Sequence, residues 1–218
     1  MHSEDLPIPG GRDVRATLDT PDADANADLA ASPPDETKAH SASRIVVACP
    51  PHPQHRGHRG DKRLTAVSEA LVESGIACLR FDYDDWDEGY GEREDARNAL
   101  RWARERYDRV GVFGFSFGGA MATLAAATTD PQPDAVSLLA PASRLAEDLD
   151  AAEALADVEG PVQVVYGTRD DTADWRPLVE RAKELECETV EMSADHFFVG
   201  QHAKVADAVG AFLVEQLG

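Results

Sequence analysis

The chain has 218 residues, 43% of them hydrophobic and 28% charged, which is apolar material enough for one domain of above-average size. Asp and Glu number 41 against 21 Lys and Arg, a formal net charge of −20; nucleic acid and anionic membrane both require clustered cations, so neither is an expected partner. No apolar run approaches the ~20 residues of a membrane span, and the opening MHSEDLPIPGG lacks the basic-then-apolar layout of a secretory leader, so the expectation is a soluble, cytoplasmic protein.

Residues 1–43 and 44–218 differ in character. Leu6–Pro9, a turn-like Gly-Gly-Arg-Asp and Val14–Leu18 predict a hairpin leading into a sheet. Pro21 to Ser43 is rich in Ala, Asp, Pro and Ser, has no period and reads as a solvated loop. The alternative is one disordered tail over 1–43. From Arg44 onward short apolar runs alternate with amphipathic stretches. The runs are Arg44–Cys49, Ile76–Phe81, Arg109–Phe115, Ala135–Ala140, Val162–Tyr166 and Glu188–Met192, most of them nearly continuous in apolar residues, as parallel strands covered on both faces are. Helical spacing lies between and after them: Leu64, Val67, Leu71 and Val72; Ala96, Leu100, Ala103 and Tyr107; Met121, Leu124 and Ala125; and Val205, Val209, Phe212, Leu213 and Leu217. Between Pro141 and Gly160 the pattern predicts roughly one amphipathic helix, with Leu145, Leu149 and Leu155 on its apolar side. The alternation predicts an α/β fold: a doubly wound, mostly parallel sheet with helices on both faces.

The chemistry is concentrated in Arg109–Ala122, RVGVFGFSFGGAMA. A strand-like run ends in Gly114-Phe115-Ser116-Phe117-Gly118-Gly119, and a helix of small residues follows. This is a Gly-x-Ser-x-Gly pattern in strand–turn–helix context. A serine thrust out of so tight a turn needs neighbours without bulk two residues to either side, and Gly114 and Gly118 meet that need. The following helix aims its N-terminal amides at any anion formed there. Phosphate binding is the competing use of such a turn, but neither a P-loop nor a Gly-x-Gly-x-x-Gly is present. A serine nucleophile needs a base, and the base needs a carboxylate. Gly167-Thr168-Arg169-Asp170-Asp171 follows one later strand and Ser193-Ala194-Asp195-His196-Phe197-Phe198 the next.

Residues 44–218, together with 6–18, resemble an α/β-hydrolase of the small serine-hydrolase kind related to dienelactone hydrolases and short esterases. The matching pieces are CPPHP, RFDY, GFSFGG, YGTRDD and ADHFF, in that order. The resemblance implies Ser116 as nucleophile, Asp170 as acid and His196 as base. It favours Asp170 over Asp171 and Asp174 because the family shows Gly-x-x-Asp at this strand end; His202 is the alternative base. It also implies a two-amide oxyanion hole, one donor being the Phe117 N–H and the other drawn from Pro50-Pro51-His52-Pro53-Gln54, where the prolines cannot donate and Gln54 is expected. Large lids of the family are inserted near 141–160, so the short segment here implies little or no lid. Trp86-Asp87-Glu88-Gly89-Tyr90-Gly91 stands where the family carries an arginine-glycine turn, which leaves a binding role for that turn open.

The implied activity is hydrolysis of an ester or related acyl bond through an acyl-enzyme, on a small-molecule acyl substrate and without a cofactor. The alternatives are a catalytically silent ligand- or protein-binding relative and an acyltransferase. His52, His55 and His58 lack a companion set of Cys, Asp or Glu at ligand spacing, so no metal is expected. Phe115, Phe117, Phe197 and Phe198 are candidates for an apolar wall or for ordinary core. Cys49, Cys78 and Cys187 form no CxxC and read as reduced thiols. Of the 21 cations 17 are Arg, and the acids are spread along the whole chain. The composition resembles that of proteins from salt-loving cells, and a Debye length of about 3 Å at 1 M salt would suppress the self-repulsion. Oligomeric state is not legible.

Overall fold

Strands covered on both faces need apolar residues at successive positions, and the runs from Arg44 onward supply them. In the computed structural model, which describes residues 1–22 and 43–218, these runs join one eight-stranded sheet. In chain order the elements are β1 (His2–Ile8), β2 (Val14–Thr20), β3 (Arg44–Cys49), α1 (Lys62–Glu73), β4 (Ala77–Asp82), α2 (Tyr90–Arg104), β5 (Arg109–Phe115), α3 (Phe117–Ala126), β6 (Ala135–Leu139), β7 (Arg144–Ala146), β8 (Leu149–Asp150), α4 (Ala151–Ala154), β9 (Val162–Gly167), α5 (Arg176–Glu184), β10 (Glu188–Met192) and α6 (His202–Leu217). The sheet order is β1-β2-β4-β3-β5-β6-β9-β10. Pairing is antiparallel only where β2 meets β1 and β4 and parallel elsewhere. The following two strands, β4 and β5, flank β3 on opposite sides, so the chain switches direction across the sheet at the carboxyl ends of β3 and β5, where open α/β sheets bind their ligands.

Alternation along the strands divides the core. Ile45, Val47 and Cys49 of β3 face α2, α3, α4 and α5, while Val46 and Ala48 face α1 and α6. The protein is thus the doubly wound, mostly parallel α/β sheet that the alternation of runs and helices predicts.

The first two strands carry residues 1–20 onto the sheet edge as a hairpin. Asp19 is fully buried there and accepts from Arg80 Nε at 2.7 Å, Arg80 Nη2 at 3.1 Å, Ser68 Oγ at 2.6 Å and Ser3 Oγ at 2.6 Å. Arg12, in the hairpin turn, donates to Asp95 of α2 at 2.7 Å and to the Asp85 carbonyl at 2.6 Å. The solvated loop expected over Pro21–Ser43 lies, apart from its ends, outside the described residues.

The single amphipathic helix expected between Pro141 and Gly160 is not what forms. The segment folds as the small antiparallel pair β7–β8, the short α4 and a 3-10 turn over Leu155–Asp157. Asp150 caps α4 by accepting from the Glu153 N–H at 2.9 Å, so the helix starts only at Ala151. Upstream, the Ser143 carbonyl accepts from the Ala151 and Ala152 N–H groups, which closes Arg144–Asp150 into a hairpin loop. Spacing of the leucines alone could not reveal these competing local bonds.

Candidate active site

The turn from β5 into α3 is shaped by contact of backbone with backbone. A Cβ on Gly114 would stand 2.2 Å from the Gly118 carbonyl oxygen, and one on Gly118 would stand 2.2 Å from the Cys49 carbonyl oxygen. Only glycine fits at either position, and the fit draws the serine turn against the end of β3. Ser116 takes φ 59° and ψ −118°, a conformation that costs a non-glycine residue of order 1–3 kcal/mol. Its surroundings hold it there. The Ser116 N–H donates to the Leu139 carbonyl at 2.9 Å, and its carbonyl accepts from Gly119 at 2.9 Å and Ala142 at 3.1 Å.

Two later loops are zipped together at the ends of neighbouring strands. The Thr168 N–H donates to the Met192 carbonyl at 2.9 Å and the Arg169 N–H to the Ala194 carbonyl at 3.0 Å. Asp170 and His196 therefore meet. Asp170 Oδ2 lies 2.7 Å from His196 Nδ1, and His196 Nε2 lies 2.9 Å from Ser116 Oγ. Both partners are almost fully shielded, Asp170 at 2% and His196 at 4% exposure. The second oxygen of Asp170 accepts from the Thr172 N–H at 2.9 Å and the Ala173 N–H at 3.1 Å, so the carboxylate is held on both oxygens. Asp171 and Asp174 are exposed, and His202 opens α6.

The imidazole is packed as well as hydrogen-bonded. Phe115 lies beneath it with ring centres 5.2 Å apart, and Phe197 meets it edge-on at 5.2 Å. Arg63 of α1 lays its guanidinium over Phe115 at 4.4 Å and donates to the Phe197 carbonyl at 3.0 Å. The four candidate wall residues divide accordingly. Phe115, Phe117 and Phe198 are buried, and Phe197 is 50% exposed.

The two expected oxyanion donors differ in state. The Phe117 N–H heads α3 and bonds to no described residue, as the first amide of a helix does. The Gln54 N–H is turned onto His52 Nδ1 at 3.3 Å, because His52 caps the 3-10 turn Pro53–His55. The sequence places His52 only in the oxyanion loop and the histidine cluster and leaves the Trp86 turn open as to binding; it does not pair the two, whose rings stack at 4.6 Å. A tryptophan set among acids in an exposed loop was the available signal. His58 Nδ1 accepts from the Gly60 N–H, and among the described residues no group of His, Cys, Asp or Glu side chains is arranged to hold a metal.

Comparisons with known proteins agree with this architecture. Residues 52–194 match the family model described as X-Pro dipeptidyl-peptidase (S15 family). No curated protein matches the chain. Among solved structures, an α/β serine hydrolase without a lid from Xanthomonas campestris is 23% identical and superposes with a TM-score of 0.76 over 99% of this chain and 95% of that one. Est1E from Butyrivibrio proteoclasticus is 19% identical with a TM-score of 0.77, covering 97% and 98%. A dienelactone hydrolase from Anabaena variabilis is 22% identical with a TM-score of 0.71, covering 99% and 96%. At these identities the superpositions speak for the fold.

Proposed function

We propose a function from one premise: the chain belongs to the family described as X-Pro dipeptidyl-peptidase (S15 family) and is an α/β hydrolase. The reading is a serine hydrolase that cleaves an ester or related acyl bond of a small molecule, with Ser116 as nucleophile, His196 as base and Asp170 as the acid that orients it. The observation that carries it is the unbroken relay from Asp170 Oδ2 through His196 to Ser116 Oγ, at 2.7 and 2.9 Å.

The steps follow from the geometry. His196 Nε2 takes the hydroxyl proton as Ser116 Oγ attacks the carbonyl carbon, and the cation so formed is held by Asp170 at Nδ1. The carbonyl π pair moves onto oxygen, which the Phe117 N–H meets at the positive end of α3. Gln54 serves as second donor by exchanging His52 for the oxyanion; a neutral 3.3 Å bond is a weak competitor for a charge-assisted one. The imidazolium then protonates the leaving group, and water, deprotonated by His196, cleaves the acyl-enzyme. The cytoplasm, expected from the sequence, fits a chain whose three cysteines stand as free thiols.

Replacing Ser116 by Ala is expected to lower turnover of short p-nitrophenyl esters by on the order of 10^6-fold while leaving the melting curve in place, and a fluorophosphonate is expected to label Ser116 in the parent protein. Unchanged turnover in the Ala variant would refute the assignment. The family's description favours a second reading, amide cleavage after proline; an Ala-Pro-p-nitroanilide assayed beside the esters separates the two.

A further inference from the structure

Beside the serine stands an aromatic cluster that the relay does not use. Phe117, next after Ser116, has its ring 4.8 Å from His52, 5.8 Å from Trp86 and 5.7 Å from the edge-on Tyr83. His52 lies between Trp86 and His55, stacked on each at 4.6 Å with interplanar angles of 29° and 25°. Three separate segments, the loop after β3, the loop after β4 and the start of α3, thus bring their rings together around Phe117, the residue that follows Ser116. Burial, and then the neighbouring His55, push the His52 imidazole below its ordinary value, which favours its neutral form.

Trp86 is only half-buried, in the loop Asp84-Asp85-Trp86-Asp87-Glu88. Trp86 packs in part against the core, is braced by the His52 imidazole, and stands in a loop whose other four residues are acids. Indole and imidazole faces favour flat rings, which stack in offset or edge-on contact, over saturated rings of equal size. The surrounding acids repel an anionic ligand.

We propose that Trp86, braced by His52, is a specificity-determining residue: it forms a subsite beside Ser116 for a flat, uncharged aromatic group of the substrate. The proposal rests on the hydrolase reading above. It is tested with boronic acids, in which boron accepts the Ser116 oxygen, the B–O bond forms and the hydroxyl proton passes to His196. In 2-phenylethylboronic and 2-cyclohexylethylboronic acid two methylenes insulate boron from the ring, so only the ring's contacts differ. The phenyl compound is expected to bind roughly three- to tenfold more tightly. That ratio should persist in Trp86→Phe and fall to about one in Trp86→Leu. Equal affinities in the parent protein, or a loss in Trp86→Leu shared by both compounds, would overturn the subsite. A third comparison needs no variant: 2-(4-carboxyphenyl)ethylboronic acid should bind at least about threefold more weakly than the phenyl compound because of the adjacent acids, and equal or tighter binding would overturn the placement. If neither boronate binds and a fluorophosphonate leaves Ser116 unlabelled, the hydrolase reading falls and the subsite with it. Labelling without phenyl preference overturns the subsite alone.

Discussion

Two buried carboxylates, Asp19 on β2 and Asp170 just past β9, face the same problem and solve it differently. Asp19, at the hairpin edge, is met by the permanent cation of Arg80 and by two serine hydroxyls. Asp170 is met by an imidazole and two backbone amides. The first arrangement is complete at rest and serves to fasten the hairpin to β4 and α1. In the proposed mechanism the second has a partner that becomes charged on taking the serine proton, and a buried carboxylate next to such a partner would stabilise that charge where water cannot screen it. Burial of an acid therefore does not by itself tell its role; the nature of its partner separates the fastening of Asp19 from the role proposed for Asp170.

The largest expected effect would sharpen this contrast at once. Asp170→Asn should lower kcat on a p-nitrophenyl ester by about 10^4-fold, with little change in the unfolding midpoint, because the amide oxygen still accepts from Thr172 and Ala173. A variant with near-parental kcat would break the comparison. Asp19→Asn should do the reverse. Leaving Arg80 without its carboxylate is expected to cost about 3 kcal/mol of stability while kcat of the folded enzyme stays within about twofold; denaturant unfolding and active-site-titrated assays read the two quantities.

The same variant has a pH signature. Burial alone would raise the Asp19 value, but the Arg80 bond, with Ser3 and Ser68, outweighs it, and the folded-state value lies below the usual carboxylate value of 3.8. A lowered folded-state value adds stability above the unfolded value and loses it as pH falls through the folded one. The gap between parent and Asp19→Asn should thus be full near neutrality and close below about pH 4; a gap constant down to acid unfolding would contradict the role given to Arg80.

The smallest effect concerns the surface acids. Molar KCl should raise the melting temperature of the parent and of Asp19→Asn alike, by about 3 °C for roughly 1 kcal/mol of relieved repulsion, since salt screens exposed charges and not the enclosed pair. Equal melting temperatures in dilute buffer and molar KCl would remove the salt-dependent reading of the composition.

Local features were legible in the string. The apolar runs of β3 and β5 coincide with the strands observed, because continuous burial leaves a continuous apolar run. Gly114 and Gly118 could be read as steric necessities of one short turn, and two carbonyl oxygens 2.2 Å from the missing Cβ atoms bear that out. Less legible were features with local rivals. Leu145, Leu149 and Leu155 have spacing that suits a helix, yet the Asp150 cap and the Ser143 carbonyl divide the segment. Likewise Gln54 could be named as a donor by excluding prolines, but that exclusion says nothing of His52 Nδ1 waiting two residues before it.

Taken alone, then, the sequence determined where most strands of the sheet and the helices α1, α2, α3 and α6 lie, where the chain must turn without side chains, and which residue types could carry acyl chemistry. Each of these depends on neighbours within a few positions. Only the tertiary structure decided which acid meets His196, that Arg80 pairs with Asp19 across 61 residues, and that Trp86 stacks on His52 beside Phe117. Such pairings depend on strand register and on the way separate loops converge at one end of the sheet, and no short stretch of chain holds that information.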